Sequence, residues 1–509
     1  MRWRAAALLA AAILAPSAAR AEWREASSDH FVVYADANDK WLRGYAERLE
    51  RFDAAMRLIR NVPNRPEDRS NRLTVYVLPG SDKARELCGG CGNVAGFYIP
   101  RAGGSVAFTI RSEGSGPFEI TADTVLFHEY THHFLLANFP LPYPRWFGEG
   151  FAEFHAASTV DDAGNIGIGR VPQNRAPGLR RGAKISIEQL LQPTAKPNDA
   201  AFWDVFYGRA WVLTHLLTFG EGRKGQLGKY LTLLTQGKDS LSAAREAFGD
   251  LKQLDGDINR AINKTFDYWK IDAARLKVGA VTTRALTPGE AAMMPVRLRS
   301  DRGVNHQSAL ALLPLARKRA APFPKDAAVQ TMLAEAEYDA GEDAAAEAAA
   351  DRALAADPGN REAMMYKGRV LVRRLAQAKS RDTAAWKAAR GWFIRANRAD
   401  PNAAEPLMLN YTSYLAAGDR PSANAVLGLN RAFELSPHAL DLRFMTAMQL
   451  LRDEKTQEAR ALLVPLTADA HSSGAGKAAT AIIAKIDAGD AASAVAEAEA
   501  EGEKDGETQ

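Results

Sequence analysis

From about Asn305 the chain reads as alanine-rich helices punctuated by proline at a near-regular interval, and no other feature narrows its possible folds as far. Asp-Pro or Ser-Pro recurs at Asp357-Pro358, Asp400-Pro401 and Ser436-Pro437, each after a helix end with alanine in register at Ala353, Ala396 and Ala432. Pro324 and Pro358 stand 34 residues apart, Pro401 and Pro437 stand 36 apart, and the interval between them is stretched. Small residues let two helices pack closely, and stacked pairs bury a continuous core that one pair cannot supply. The sequence thus predicts an all-α repeat domain over 305–486. Residues 487–509 are acidic and alanine-rich with little apolar bulk, so a disordered tail is expected there.

The N-terminal half has a different grain. Met1-Arg2-Trp3-Arg4 is basic, Ala5 to Leu14 is apolar, and Ala19-Arg20-Ala21 offers a small-x-small cleavage site before Glu22. That pattern predicts an export signal over 1–21 and a periplasmic or secreted bacterial address. No stretch approaches the ~20 apolar residues a membrane span needs. Net charge is +4 without a basic cluster, so nucleic acid is not indicated. The only cysteines, Cys88 and Cys91, are expected to form a local disulfide in an oxidising compartment.

Strands are expected at 30–35, 73–78, 95–99 and 105–110, with an amphipathic helix from Trp41 to Ile59. Val106 to Ile110, the last strand before the next helix, is the candidate sheet edge for pairing with an extended peptide. Further helices are expected at 203–218, 226–235, 241–248 and 258–276, and 278–304 reads as a linker.

The chemistry lies between Val125 and Phe134. His128-Glu129-Tyr130-Thr131-His132 is an H-E-x-x-H pattern in an apolar run free of proline and glycine. On a helix, residues four apart share a face, so His128 and His132 can offer two imidazoles to one zinc ion, with Glu129 beside it as general base. A hydrolytic site needs a third protein ligand. Leu135 and Asn138 exclude the three-histidine extension of the pattern. Glu149, seventeen residues after His132 and beyond a proline-rich turn, is the candidate third ligand.

His128, Glu129, His132 and Glu149, with Trp146, Gly150 and Ala152 around the last, resemble the H-E-x-x-H and W-x-x-E-G-x-A segments of gluzincin-type, peptidase MA-like zinc metallopeptidases. The resemblance implies an α+β zincin-like domain over 22–277, a small sheet plus active-site helices. It also implies hydrolysis of a protein or peptide substrate, with Zn2+ polarising the carbonyl and Glu129 moving the water's proton. Gly148 stands where aminopeptidases of this type often have Asn, which leaves endo- or exopeptidase action open. Tyr207 resembles the tyrosine that steadies the oxyanion in related sites. Glu153, one turn after Glu149, is a candidate to orient a ligand histidine. His133, His155 and His215 read as structural. The C-terminal half resembles a degenerate tetratricopeptide array, a tetratricopeptide-like solenoid, which implies a protein partner or recruited substrate. Two rivals stand beside the peptidase reading: a non-catalytic periplasmic adaptor built on a peptidase-like domain, and a zinc hydrolase of a non-protein bond.

Overall fold

The computed structural model describes residues 23–89, 96–111, 120–139, 141, 143–182, 184–193, 199–468, 475–490 and 493. The expected signal 1–21, Cys91 and nearly all of the expected tail lie outside them. Cys88 is disulfide-bonded. Among the described residues, no helix is long and apolar enough to cross a membrane.

The first part runs β1 (Trp23–Ser27), β2 (Phe31–Asp36), α1 (Asp39–Arg60), β3 (Leu73–Leu78), α2 (Ser81–Leu87), β4 (Gly96–Ile99), β5 (Val106–Ile110), α3 (Ala122–Asn138) and α4 (Arg145–Ala156). It continues with β6 (Thr159–Val160), β7 (Ile166–Ile168), α5 (Ala176–Arg181), α6 (Ile187–Leu191) and the long α7 (Ala200–Phe219). Then come α8 (Gln226–Thr235), α9 (Ser240–Phe248), α10 (Leu251–Ala261), β8 (Trp269–Ile271) and β9 (Thr282–Ala285).

Six strands form one sheet in the order β4-β5-β3-β2-β1-β9. β2, β3 and β5 are parallel, while β1, β9 and β4 run antiparallel to their neighbours. Side chains alternate faces along a strand. Phe31, Val33 and Ala35 therefore pack with Leu42, Leu49 and Phe52 of α1 and Leu126 of α3. Val32, Tyr34, Tyr76 and Phe108 pack on the opposite face with Leu286 and Met294. Coverage on both faces is why these strands read as nearly continuous apolar runs. β6, β7 and β8 make a small second sheet.

Three expectations change. β5 is not the sheet edge: it lies between β3 and β4, because the turn at 100–105 folds β4 back beside it. The helix expected at 258–276 ends at Ala261, and Trp269–Ile271 pairs instead with Ile166–Ile168. Residues 278–304, read as a linker, carry β9, which pairs with β1, and α11 (Pro288–Arg302), whose Met294 and Leu298 cover the second sheet face. Its charge conceals this role, although α11 packs Met294 and Leu298 on the sheet and Met293 and Val296 on the array.

The helical array then runs α12 (His306–Ala320), α13 (Ala327–Asp339), α14 (Asp343–Ala356), α15 (Arg361–Gln377), α16 (Thr383–Ala399), α17 (Ala404–Ala416), α18 (Ala423–Leu435), α19 (Leu440–Arg452), α20 (Thr456–Leu463) and α21 (Ala475–Asp487). Consecutive helices pack as pairs, α13 on α14, α15 on α16, α17 on α18 and α19 on α20. Ala346, Ala349, Ala350 and Ala353 are wholly buried where α14 meets its neighbours. The stretched interval has a simple cause: α15 and α16 are 17 residues each, against 13 for α17 and α18.

Candidate metal centre

α3 begins where the Thr121 side chain accepts a hydrogen bond from the Thr124 N–H, a capping that fixes the start of the helix. Its inner face is held hard against α1. Phe127 stacks on Phe52 with ring centroids 4.0 Å apart, and the Tyr130 hydroxyl donates to Asp53. His128 and His132 follow on the other side of the helix, each partly exposed.

α4 supplies the next group. Trp146 is fully buried, with its indole N–H donating to the Tyr230 hydroxyl at 3.1 Å. At Gly150 a β-carbon would stand 2.5 Å from both the Ala210 carbonyl oxygen and Thr214 Oγ1. The glycine after Glu149 therefore lets α4 lie directly on α7, which turns the Glu149 carboxylate towards α3.

Three donor atoms converge. His128 Nε2 and His132 Nε2 are 3.2 Å apart, and Glu149 Oε2 is 3.4 Å from the first and 3.5 Å from the second. Donors about 2.0–2.1 Å from a tetrahedral zinc stand roughly 3.4 Å from one another, so this near-equilateral triangle fits that ion. Burial disfavours charge at His128, yet the Glu149 hydrogen bond and the charges of Glu153, Glu129 and Glu149 raise its pKa to about 9. Burial pushes Glu149 the other way, and the two imidazoles outweigh it, holding the carboxyl well below its usual range. Two nitrogens and one carboxylate oxygen, two of them on one helix face, suit a borderline divalent cation.

Glu153 stands where the spacing places it. Its Oε1 is 3.5 Å from His128 Nδ1, the ring nitrogen facing away from the triangle. Arg175, in the turn before α5, donates to both Glu153 oxygens at 2.8 and 3.3 Å and to Asp204 at 3.1 Å. Its guanidinium also lies 4.8 Å from the centre of the Tyr207 ring. Tyr207, on α7, is half-buried with its ring 6.4 Å from that of His128. Burial and the Glu149 charge push its hydroxyl up to about 12, so it remains a proton-bearing donor at neutral pH. Glu129 is partly exposed beside the triangle.

The remaining histidines are engaged elsewhere. His155 Nδ1 is 2.7 Å from the Phe151 carbonyl, and His215 Nε2 is 2.7 Å from the Asp267 carbonyl. His133 lies 2.7 Å from the Tyr98 hydroxyl. A second cluster, His30 with Glu50 and Asp53, also brings ligand-type atoms together. There Nδ1 of His30 donates to Glu50 at 2.8 Å and Nε2 donates to the Arg65 carbonyl at 3.0 Å. Both nitrogens carry protons, so the ring is an imidazolium in an ion-pair network and has no lone pair for a metal. The motif-based reading missed Arg175, Asp204 and this cluster, because none of them stands at a fixed offset from the H-E-x-x-H segment.

No family model matches the chain, and no curated protein matches it. Among solved structures it is similar to a thermophilic TPR protein in Thermus thermophilus, at 19% identity and TM-score 0.31 over 39% of this chain and 96% of that one. It is also similar to the MamA RS-1 ArsTM double mutant, at 16% identity and TM-score 0.27 over 35% of this chain and 93% of that one.

Proposed function

We propose that the protein is an exported zinc-dependent peptidase of the gluzincin type, in which the helical array provides contacts to protein. The observation that carries this reading is the triangle of His128 Nε2, His132 Nε2 and Glu149 Oε2, with sides of 3.2, 3.4 and 3.5 Å. A zinc ion held by these three residues would supply Lewis-acid polarisation of a carbonyl and acidify water. Glu129 is assigned to accept the water's proton and return it to the departing amine. Tyr207 is assigned to donate its O–H to the oxygen that gains charge, a role its raised pKa suits. Glu153, fixed by Arg175, orients the His128 ring through Nδ1.

A second reading has its own support. Among the described residues, helices pack in pairs from α13 to α20, an architecture that commonly binds protein, and this fits a non-catalytic adaptor at least as directly. The two readings separate on one variant. Full-length protein should carry one zinc per chain and cleave a casein-type substrate, while Glu129→Gln should keep the zinc and lose cleavage by about a hundredfold or more. Zinc-loaded wild-type protein that cleaves no peptide substrate would leave the adaptor.

A further inference from the structure

The turn between β4 and β5, residues 100–105, projects from the sheet into the helical array. Ala102 is buried there in one apolar cluster with Ala404, Tyr411, Leu429, Ala439 and Leu442. At Gly103 a β-carbon would stand 2.5 Å from Glu405 Oε2, so the backbone of the turn lies against the Glu405 side chain of α17. Beside it, Asn71 donates to the Asn402 carbonyl at 3.0 Å, and Asn402 donates to Asp68 at 2.6 Å. Arg101 adds its charge near Asp339 and Asp441 of the array.

The two helix starts beside the turn both carry alanine. α13, α15, α16 and α18 begin at Asp326, Asn360, Asp382 and Ser422, each accepting a backbone N–H through its side chain. α17 and α19 begin at Ala403 and Ala439, with no side-chain cap. Both alanines are buried. Alanine at this position is a poorer helix start than Ser, Asn or Asp, because it offers no acceptor to the exposed backbone N–H groups. α14 and α20 also lack a side-chain cap, but they begin at Glu342 and Lys455, so a buried alanine at the start is what α17 and α19 share.

The same contact reaches the metal helix. His438, immediately before Ala439, packs its ring 4.7 Å from that of His133. His133 in turn lies 2.7 Å from the Tyr98 hydroxyl on β4, which donates to Ser105 at 3.1 Å. His133 stands next to His132 in sequence, so one chain of packing joins the array, the edge strand and the ligand-bearing helix.

We propose that residues 100–104 are the resident ligand of the helical array at α17 and α19, and that the array acts in cis as a clamp on β4 and the outer face of α3. An external partner of the array must then bind elsewhere on it or displace this turn. The clamp does not depend on the hydrolytic reading, since it concerns how two segments are held.

The test is amide hydrogen exchange on full-length protein. Ala403→Asn with Ala439→Asn supplies both helices with the missing caps, and at Ala439 adds bulk to the cluster in which Ala102 is buried. A clamp predicts at least about tenfold faster exchange over 96–105, with no change over 31–35 and unchanged helix content. His438→Ala, which adds no bulk, should speed exchange over 130–136 without loosening α18. Unchanged exchange over 96–105 in the double variant, or over 130–136 in His438→Ala, would overturn the proposal. Loss of the contrast between 96–105 and 31–35 would overturn it too. None of these outcomes depends on peptide cleavage, so a failed peptidase reading stays distinguishable from a failed clamp.

Discussion

Arg175 shows how much of the site lies outside its motif. One guanidinium holds both oxygens of Glu153, reaches Asp204 and lies over Tyr207. Without it Glu153 would be a nearly buried carboxylate beside Glu149, free to turn away from His128 Nδ1. Partners of this kind typically change metal affinity by 10–100-fold, so Arg175→Ala should weaken zinc binding by about that factor in a chelator competition. Arg175→Lys keeps the charge but not the two-pronged geometry and should recover only part of the loss. Tyr207 gives a contrasting case. Tyr207→Phe should leave zinc affinity and KM nearly unchanged while kcat falls by about a hundredfold, since its hydroxyl is assigned to the charge that develops during reaction. An equal fall for both variants in zinc affinity would make Tyr207 a packing residue.

At the scale of elements, the centre depends on where α3 and α4 are pinned. The Gly150 approach to α7 leaves no room for a methyl group, so Gly150→Ala should shift α4, destabilise the fold by about 1–3 kcal/mol and weaken zinc binding. Calorimetry and the same chelator competition measure both effects. α3 is pinned through Tyr130 and Asp53 to the network around His30. Burial disfavours the His30 imidazolium, but the Glu50 hydrogen bond and the charges of Asp53 and Glu50 raise its pKa from 6.5 to about 9. A raised value means the native state holds the proton more tightly. Its stabilisation is therefore complete below about pH 6.5 and fades as pH climbs through 9, an effect on the order of 3 kcal/mol. Urea unfolding at pH 6 and pH 9.5 should show this loss in wild-type protein and a smaller one in His30→Gln. The motif helix and its two histidines were legible because four-residue spacing is a local property, and Thr121 and Asn38 cap the helices the periodicity predicts. Strand order was not legible. Nothing in Val106 to Ile110 says that a turn brings Gly96–Ile99 outside it, and the Trp269–Ile271 pairing joins segments a hundred residues apart.

For the whole molecule, composition and packing divide the chain at different places. Alanine content changes near Asn305 and charge marks 278–304 as connecting, yet that segment completes the sheet domain. β9 covers the edge of β1, Arg284 joins Glu25 to Glu290 at 2.7 Å from each, and α11 lays Met294 and Leu298 over Val32, Tyr34, Tyr76 and Phe108. A chain ended at Lys277 would leave that aromatic face and an unpaired strand edge in water, a combination that drives association. A chain ended at Gly303 keeps both covers, and gives up the clamp on the 100–104 turn together with the packing of Met293 and Val296 on α12 and α13. Expressed without the first 21 residues, the shorter fragment should be recovered mainly as aggregate, whereas the longer should be recovered mainly in solution and bind one zinc. Equal solubility of the two would mean that α1, α3 and the first sheet face suffice to hold the domain, and that α11 belongs to the array in energy.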